Sequence, residues 1–241
     1  MHYLGGKARI NRWIVDTLYD VATPDLTGYL EPFVGGGWVI TEVCKRTWPG
    51  GWTFDVGDAQ PDLIMLWQAL QQGWQPPACV MQELYDGLRH SPPSPLRAFV
   101  GFGCSFSGKW WGGYARNNTG RNYASNARNS LLSKTKWLSS VEFKCQPYWE
   151  WLPENKLIYC DPPYALTTTY KDASGFDYQR FWDVVREWSN YNIVVVSEYQ
   201  APQDFVVVAD KTTHTDMRCR SGAQEPRIER LFMYGEGIKV R

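Results

Sequence analysis

The sequence has no apolar run near the roughly 18 residues that a membrane-crossing helix needs, and so reads without a span. Its six cysteines (Cys44, Cys79, Cys104, Cys145, Cys160, Cys219) contain no CxxC pair and follow no secretory signal. That pattern excludes a disulfide framework and fits reduced thiols of a cytoplasmic protein. The three histidines, His2, His90 and His214, stand alone, with no cysteine or carboxylate at ligand spacing, so no zinc or other metal is implied. There is no internal repeat and no low-complexity tail. Acidic residues are missing from one long basic stretch: between Gly87 and Val141 no Asp or Glu occurs, whereas Arg89, Arg97, Lys109, Arg116, Arg121, Arg128, Lys134 and Lys136 all fall there. Since the formal net charge of the chain is zero, the remainder carries eight excess negative charges. A segregated basic segment in a neutral chain is the footprint of a polyanion-binding face.

What is present argues for a folded core. The 241 residues are 44% apolar and 15% aromatic, with 13 tryptophans, enough for one domain or one domain with an insertion. Ile10, Trp13, Ile14, Leu18 and Val21 form the apolar stripe of an opening helix. A short strand at Gly28 to Phe33 then meets Gly35-Gly36-Gly37, which releases the chain into a helix over 38–47. A second strand at 52–56 ends near Asp58, and Pro61 starts a helix made amphipathic by Leu63, Ile64, Leu66, Trp67 and Leu70. Strand, helix, strand, helix begins a parallel sheet. Residues 76–135 differ in kind, being rich in Pro, Gly, Asn and Ser, with helices expected at about 78–88 and 96–101. The α/β pattern resumes with strands at 141–144 and 156–160, a helix at 178–188, and strands at 193–196, 205–208 and 229–234.

Three stretches carry chemistry. Tyr3-Leu4-Gly5-Gly6-Lys7 places a glycine pair and a lysine before a helix N-terminus, where backbone can approach an anionic ligand. Glu31-Pro32-Phe33-Val34-Gly35-Gly36-Gly37 is a strand feeding a glycine turn, and Asp58 closes the next strand, where an acid accepts from a ribose hydroxyl. The dinucleotide fingerprint needs another small residue where Trp38 to Thr41 stand. An adenosine ligand without a pyrophosphate suits the pattern better, and S-adenosylmethionine is of that kind. The third stretch, Asp161-Pro162-Pro163-Tyr164, ends an apolar strand with a carboxylate, two prolines that fix the backbone, and an aromatic ring.

YLGGK, EPFVGGG, DAQPDLI (Asp58 to Ile64) and DPPY, in this order, resemble the DNA adenine methyltransferase (Dam) family of N6-adenine methylases. The resemblance implies a Rossmann-like α/β sheet that binds S-adenosylmethionine, built from residues 1–75 and 136–241. It also implies an inserted, mostly helical target-recognition subdomain at 76–135. Cofactor contacts carried over from the family fall on Tyr3, Lys7, Glu31, Pro32, Phe33, Gly35, Gly37, Asp58 and Asp161. Asp161 and the carbonyl of Pro162 would accept the two hydrogens of the target amino group, and Tyr164 would stack on the flipped base. In the 165–178 loop, Tyr170 and Phe176 are candidate pocket walls, with core packing the competing role.

The exocyclic nitrogen of adenine is a poor nucleophile, because its lone pair is delocalised into the ring. Two acceptors on its hydrogens in a dry pocket favour a pyramidal nitrogen, so positioning and electrostatics carry the acceleration of a direct in-line displacement. The base must first leave the duplex. The partner expected is double-stranded DNA, gripped by Lys109, Trp110, Arg116, Arg121, Arg128 and Lys134, where cations alternate with aromatic rings. The segment does not reproduce the Dam pattern for reading GATC, so that target is not carried over. A cytosine-N4 methylase more usually has Ser at the position of Asp161, and a glutamine methylase has Asn. Cys145 follows Lys144 where a cytosine-C5 enzyme has Pro, and reads as structural. A DNA-binding protein that keeps the fold without catalysis is the alternative from another class. The compact length suggests an orphan or phage-type enzyme, and oligomeric state is left open, with a monomer on DNA compatible.

Overall fold

Several strands in this chain stop where a carboxylate or glycine interrupts an apolar run. The computed structural model describes residues 1, 3–116, 120–164, 175–214 and 226–235. Helix α1 (Asn11–Val21) buries Ile14 and Leu18, as its spacing predicts, and Val15 beside them, while Trp13 and Val21 are half-buried. Strand β1 (Gly28–Glu31) is buried at all four positions and leads through the glycine turn into α2 (Trp38–Val43). Strand β2 (Thr53–Asp58) is followed by α3 (Pro61–Gln71), with Pro61 in its first turn. Helices α4 (Gln82–Leu88), α5 (Pro95–Gly103) and α6 (Tyr123–Thr135) come next, with a short 3₁₀ turn at Phe106–Gly108. Then come β3 (Val141–Cys145), β4 (Lys156–Cys160), α7 (Tyr178–Trp188), β5 (Ile193–Glu198), β6 (Phe205–His214) and β7 (Pro226–Tyr234).

The seven strands lie in the order β3-β2-β1-β4-β5-β7-β6. The pairs β2/β3, β1/β4 and β4/β5 are parallel, whereas β7 is antiparallel to both β5 and β6. Central parallel strands are covered on both faces and need continuous apolar sequence. Leu157 to Cys160 and Val195-Val196 meet that need, each with no measurable exposure. The strand order reverses between β1 and β4, which is where an open α/β sheet places its ligand crevice. The carboxyl ends of those two strands carry Glu31 and Asp161.

Internal contacts divide the chain into two units: Met1–Val15 with Pro32–Glu150, and Asp16–Glu31 with Trp151–Arg241. In the first, α5 and α6 pack on α3, and Trp67 of α3 stacks on Phe143 of β3 with ring centroids 5.8 Å apart. Residues 76–135 thus fold onto the same helix that follows Asp58. The second unit is centred on Tyr29, Ile158, Tyr159, Phe181, Val185 and Val195, all fully buried.

Several boundaries differ from the sequence expectation. Helix α2 stops at Val43, whose carbonyl accepts from the indole N–H of Trp48 at 2.9 Å. Strands β6 and β7 extend as far as a His214/Pro226 pairing, well beyond their apolar centres, because antiparallel pairing tolerates alternating polar residues. Helix α6 falls inside the segment read as mostly helical but outside the two helices delimited there, and its sequence, YASNARNSLLSKT, has no run of large apolar residues.

Candidate active site

The glycine turn lies in the first unit and has its back against two aromatic rings. Gly35 and Gly37 adopt φ of +44° and +64°, in the left-handed region where glycine carries no steric cost. A Cβ on Gly37 would stand 2.7 Å from the Trp67 ring, and one on Gly35 2.9 Å from the Tyr3 ring. The polar groups of the turn are gripped in succession. Val34 N–H donates to Gly57 O and Gly37 N–H to Val34 O, each at 2.8 Å. Gly35 N–H donates to the Asp58 carboxylate at 3.2 Å, and the indole N–H of Trp67 donates to Gly35 O at 3.2 Å. The Thr41 hydroxyl donates to Gly37 O at 2.5 Å, and Lys134 Nζ to Gly36 O.

Asp58 ends β2, beside the glycine turn. Its Oδ2 accepts from Gly35 N–H and its Oδ1 from Gln60 N–H at 3.0 Å, which leaves further lone pairs on both oxygens. Burial pushes its carboxyl up to about 6, against backbone N–H groups of Gln60, Gly35 and Ala59 that pull it down. Desolvation outweighs three donors here, so a hydroxyl donated by a ligand would relieve a carboxylate that lacks solvation. Tyr3 lies over Gly35 and meets Phe102 at 4.9 Å. Lys7 is buried, its Nζ donating to Gly5 O at 3.2 Å, and Phe33 packs on Tyr148 at 5.3 Å. Pro32 is buried. The structure therefore gathers Tyr3, Phe33, Gly35, Gly37 and Asp58 of the expected cofactor set around one turn.

The second unit carries the acidic end. Asp161 directly follows β4 and is half-buried, and Pro162 behind it is buried. After burial itself, the Asp161 charge is the largest influence raising the proton affinities of Tyr159, Cys160 and Tyr164, so the carboxylate lies close to all three. Tyr178 of α7 donates its hydroxyl to Pro163 O at 2.8 Å, pinning the proline pair. Tyr164 donates its hydroxyl to Glu229 Oε1 and lies 2.9 Å from Ser197 Oγ, which itself donates to Glu229 at 3.0 Å. The Tyr164 ring meets Tyr199 edge-on at 4.8 Å and 85°. Burial keeps its hydroxyl neutral, as a donor to Glu229 must be. Glu31 is buried, accepting from the Tyr29 hydroxyl at 2.9 Å.

Ser197 and Glu229 were missed by sequence reasoning. The signal on offer was a hydroxyl and a carboxylate embedded in otherwise apolar strands, VVVSE and IERLFM, and both side chains are indeed buried. Tyr170 lies outside the described residues. Phe176 packs on Tyr178 at 4.9 Å and Phe181 at 5.7 Å, at the start of α7.

The basic segment sorts into surface and interior. Arg116 and Arg121 are exposed, each over a neighbouring tyrosine, Tyr114 at 5.9 Å and Tyr123 at 5.2 Å. Lys109 is half-buried, as is Arg128, which donates to Gln75 at 3.2 Å. Trp110 is packed between Phe102 at 4.5 Å, Trp111 at 5.5 Å and the Arg97 guanidinium at 5.2 Å. Arg97 is bound to Asp62 at 2.5 Å. Lys134, read from the sequence as a DNA contact, is only 2% exposed and cannot reach a phosphate from there. Position 134 continues the buried stripe of α6 set by Ala124, Ala127 and Leu131, so its side chain points into the core. Burial pulls its ammonium down to about 7.

Cys145 lies at the end of β3, paired in register with Asp58. Burial and the Asp58 charge both raise its proton affinity, which disfavours a nucleophilic thiolate. Among the described residues no group of His, Cys, Asp or Glu is arranged to hold a metal ion, and no helix is long and apolar enough to cross a membrane.

An open sheet ordered 3-2-1-4-5-7-6, with a glycine turn after β1 and an acid ending β2, defines a Rossmann-like α/β fold. Residues 3–93 match the family model described as D12 class N6 adenine-specific DNA methyltransferase. The match takes in the first three of the four motifs and ends before the Asp161 to Tyr164 run. No curated protein matches the chain. Among solved structures, the rRNA methyltransferase aviRa from Streptomyces viridochromogenes aligns over 96% of this chain and 87% of that one, at 11% identity and a TM-score of 0.41.

Proposed function

We propose that this chain transfers a methyl group from S-adenosylmethionine to the N6 amino group of adenine in double-stranded DNA. The observation that carries the reading is Asp161, a half-buried carboxylate at the tip of β4, followed by a pinned proline pair and a tyrosine whose hydroxyl is tied down. S-adenosylmethionine supplies the electrophilic methyl group on its sulfonium. In the first unit the residues suited to hold it are Tyr3, Lys7, Pro32, Phe33, Gly35, Gly37 and Asp58, and Glu31 and Asp161 of the second unit complete the expected set. They fit the group on their own chemistry: an under-solvated carboxylate at Asp58 to take ribose hydroxyls, and a turn whose shape admits no Cβ.

The protein's part is to bind, orient and desolvate. Asp161 and the Pro162 carbonyl accept from the two amino hydrogens, which turns the nitrogen lone pair out of conjugation and fixes its direction. Tyr164 offers a ring to the extruded base, worth about 1 to 3 kcal/mol of stacking against an unpairing cost of a few kcal/mol. The ring is held in advance by Glu229 and Ser197, so its side-chain entropy is already lost. Arg116, Arg121, Lys109 and Arg128 supply the phosphate contacts that position the duplex. In the cytoplasm of a bacterial or phage-infected cell, cofactor and unmethylated DNA are both at hand.

The test is methyl incorporation from labelled cofactor into unmethylated duplex DNA, with mass spectrometry of the digested nucleosides to identify the base. N6-methyladenine is the expected product. Asp161→Ala should lower turnover about 10³-fold, roughly 4 kcal/mol, while cofactor binding persists. A rate within about threefold of wild type, roughly 0.7 kcal/mol, removes Asp161 from the mechanism.

A further inference from the structure

Helix α6 has an arginine-rich start and ends beneath the glycine turn. Arg121, exposed, stands just before its N-cap Asn122, and Arg128 lies in its second turn. Its buried stripe runs Ala124, Ala127, Leu131, Lys134, at intervals of three, four and three, so a single helical face leads from the basic region to the lysine. Three of the four are apolar, as a core-facing stripe demands. The fourth is an amine that burial penalises, and a methionine of similar length would fill the space without that penalty. Packing alone therefore gives no reason for a lysine here.

The contacts of Lys134 give one. Its Nζ donates to Gly36 O and stands 4.1 Å from the Trp38 ring centroid and 5.2 Å from that of Trp67. Both rings present faces attractive to a cation. Trp67 in turn donates to Gly35 O. The peptide planes on either side of Gly36 are thus fixed by two side chains, one from α3 and one from α6. Val34, Gly35 and Gly37 have their N–H groups engaged within the turn or by Asp58, which leaves the Gly36 N–H as the amide of the turn available to a ligand. Trp67 holds the plane of that N–H through Gly35 O, and Lys134 holds the plane that follows it through Gly36 O, so Lys134 fixes the far side of Gly36 without touching the ligand.

We propose that Lys134 is a positioning residue of the cofactor site, and that through it α6 couples the grip on DNA to the affinity for S-adenosylmethionine. The inference rests on the cofactor reading given above. DNA drawn onto Arg121 and Arg128 fixes α6, and α6 fixes the turn, so each ligand finds the site of the other already ordered. Coupling of this kind is reciprocal and commonly amounts to 5- to 150-fold in affinity.

The experiment measures the dissociation constant of S-adenosylmethionine, with and without unmethylated duplex DNA, for wild type and Lys134→Met, together with KM, kcat and melting temperature. For wild type, DNA should tighten cofactor binding at least fivefold. In the variant the cofactor constant without DNA should rise about tenfold and the effect of DNA should fall below twofold. Its KM should rise while kcat at saturation stays within about threefold and the melting temperature does not fall. If Lys134→Met does not fold, Lys134→Gln, which keeps an N–H for Gly36 and loses the charge, serves instead and should retain an intermediate coupling. A wild-type constant indifferent to DNA overturns the proposal, as does a variant that melts earlier yet keeps the full effect of DNA. A wild-type protein that binds no S-adenosylmethionine overturns the cofactor reading itself, and is told apart because no constant can be measured at all.

Discussion

The glycine turn and the Asp161 to Tyr164 run are held in opposite ways. In the turn, the backbone is gripped by side chains that come to it from α2, β2, α3 and α6: Thr41, Asp58, Trp67 and Lys134. In the acidic run the anchoring includes the run's own side chain, with Tyr164 tied to Glu229 and Ser197, and Tyr178 holding only the Pro163 carbonyl. The first region encodes a shape, and its essential residues are those that lack a side chain. The second encodes chemistry, and its essential residues are those with a hydrogen to give or a lone pair to offer. Adding an atom should break the first, and removing one should disable the second.

The largest expected effect comes from Gly37→Ala. The new methyl would meet the Trp67 ring at 2.7 Å while the residue sits at φ +64°, so overpacking and backbone strain add to about 3 kcal/mol of lost stability. Cofactor affinity should fall at least tenfold with it. Gly50→Ala is the control, since a Cβ there meets nothing within 4 Å. Calorimetry and cofactor titration of the pair check the claim. Equal behaviour of the two variants would mean the turn is not shape-limited.

Glu229→Ala probes the other region. It leaves the hydroxyls of Tyr164 and Ser197 without their buried acceptor, a cost of about 1 to 3 kcal/mol, and frees the Tyr164 ring to rotate. Turnover should drop about 30-fold, roughly 2 kcal/mol, with the cofactor constant unchanged. Glu229→Gln keeps an acceptor oxygen and should recover most of the rate. A variant that loses cofactor affinity in proportion to rate would erase the distinction between the two regions.

How much of this was legible beforehand follows the same division. Shape written in glycine and proline is local, so YLGGK, EPFVGGG and DPPY could each be placed at a strand end or helix start from the sequence alone. The parallel strands were legible because burial on both faces demands unbroken apolar runs such as LIYC and VVV. The supports were not legible, because they act across long separations: Tyr164 and Glu229 are 65 residues apart, and Gly36 and Lys134 are 98 apart. Helix α6 escaped because its buried face is Ala, Ala, Leu and Lys, too small and too polar for an amphipathic pattern. Lys134 was placed on DNA because a count of charges treats every lysine as exposed, whereas the spacing from Leu131 already turned it inward.

Asp58 offers the mildest perturbation, because pH changes one proton and no packing. Its carboxyl, pushed up to about 6 by burial, binds its proton more tightly in the folded chain than in the unfolded one. The sign follows from linkage: the unsolvated charge disfavours the folded state fully above pH 6, and that disadvantage disappears as pH falls into the ordinary carboxylate range. For the ligand the sign is reversed. Only the ionised carboxylate can accept from two ribose hydroxyls, and those donors restore solvation that burial removed. Cofactor affinity should therefore fall as pH is lowered through 6, by about tenfold between pH 7.5 and 5, while the free protein becomes no less stable at this site. Isothermal titration across that range, with Asp58→Asn as reference, reads both effects. The asparagine variant should bind weakly at every pH and lose the slope. A slope that survives in Asp58→Asn would move the titration to another group and detach Asp58 from the ribose.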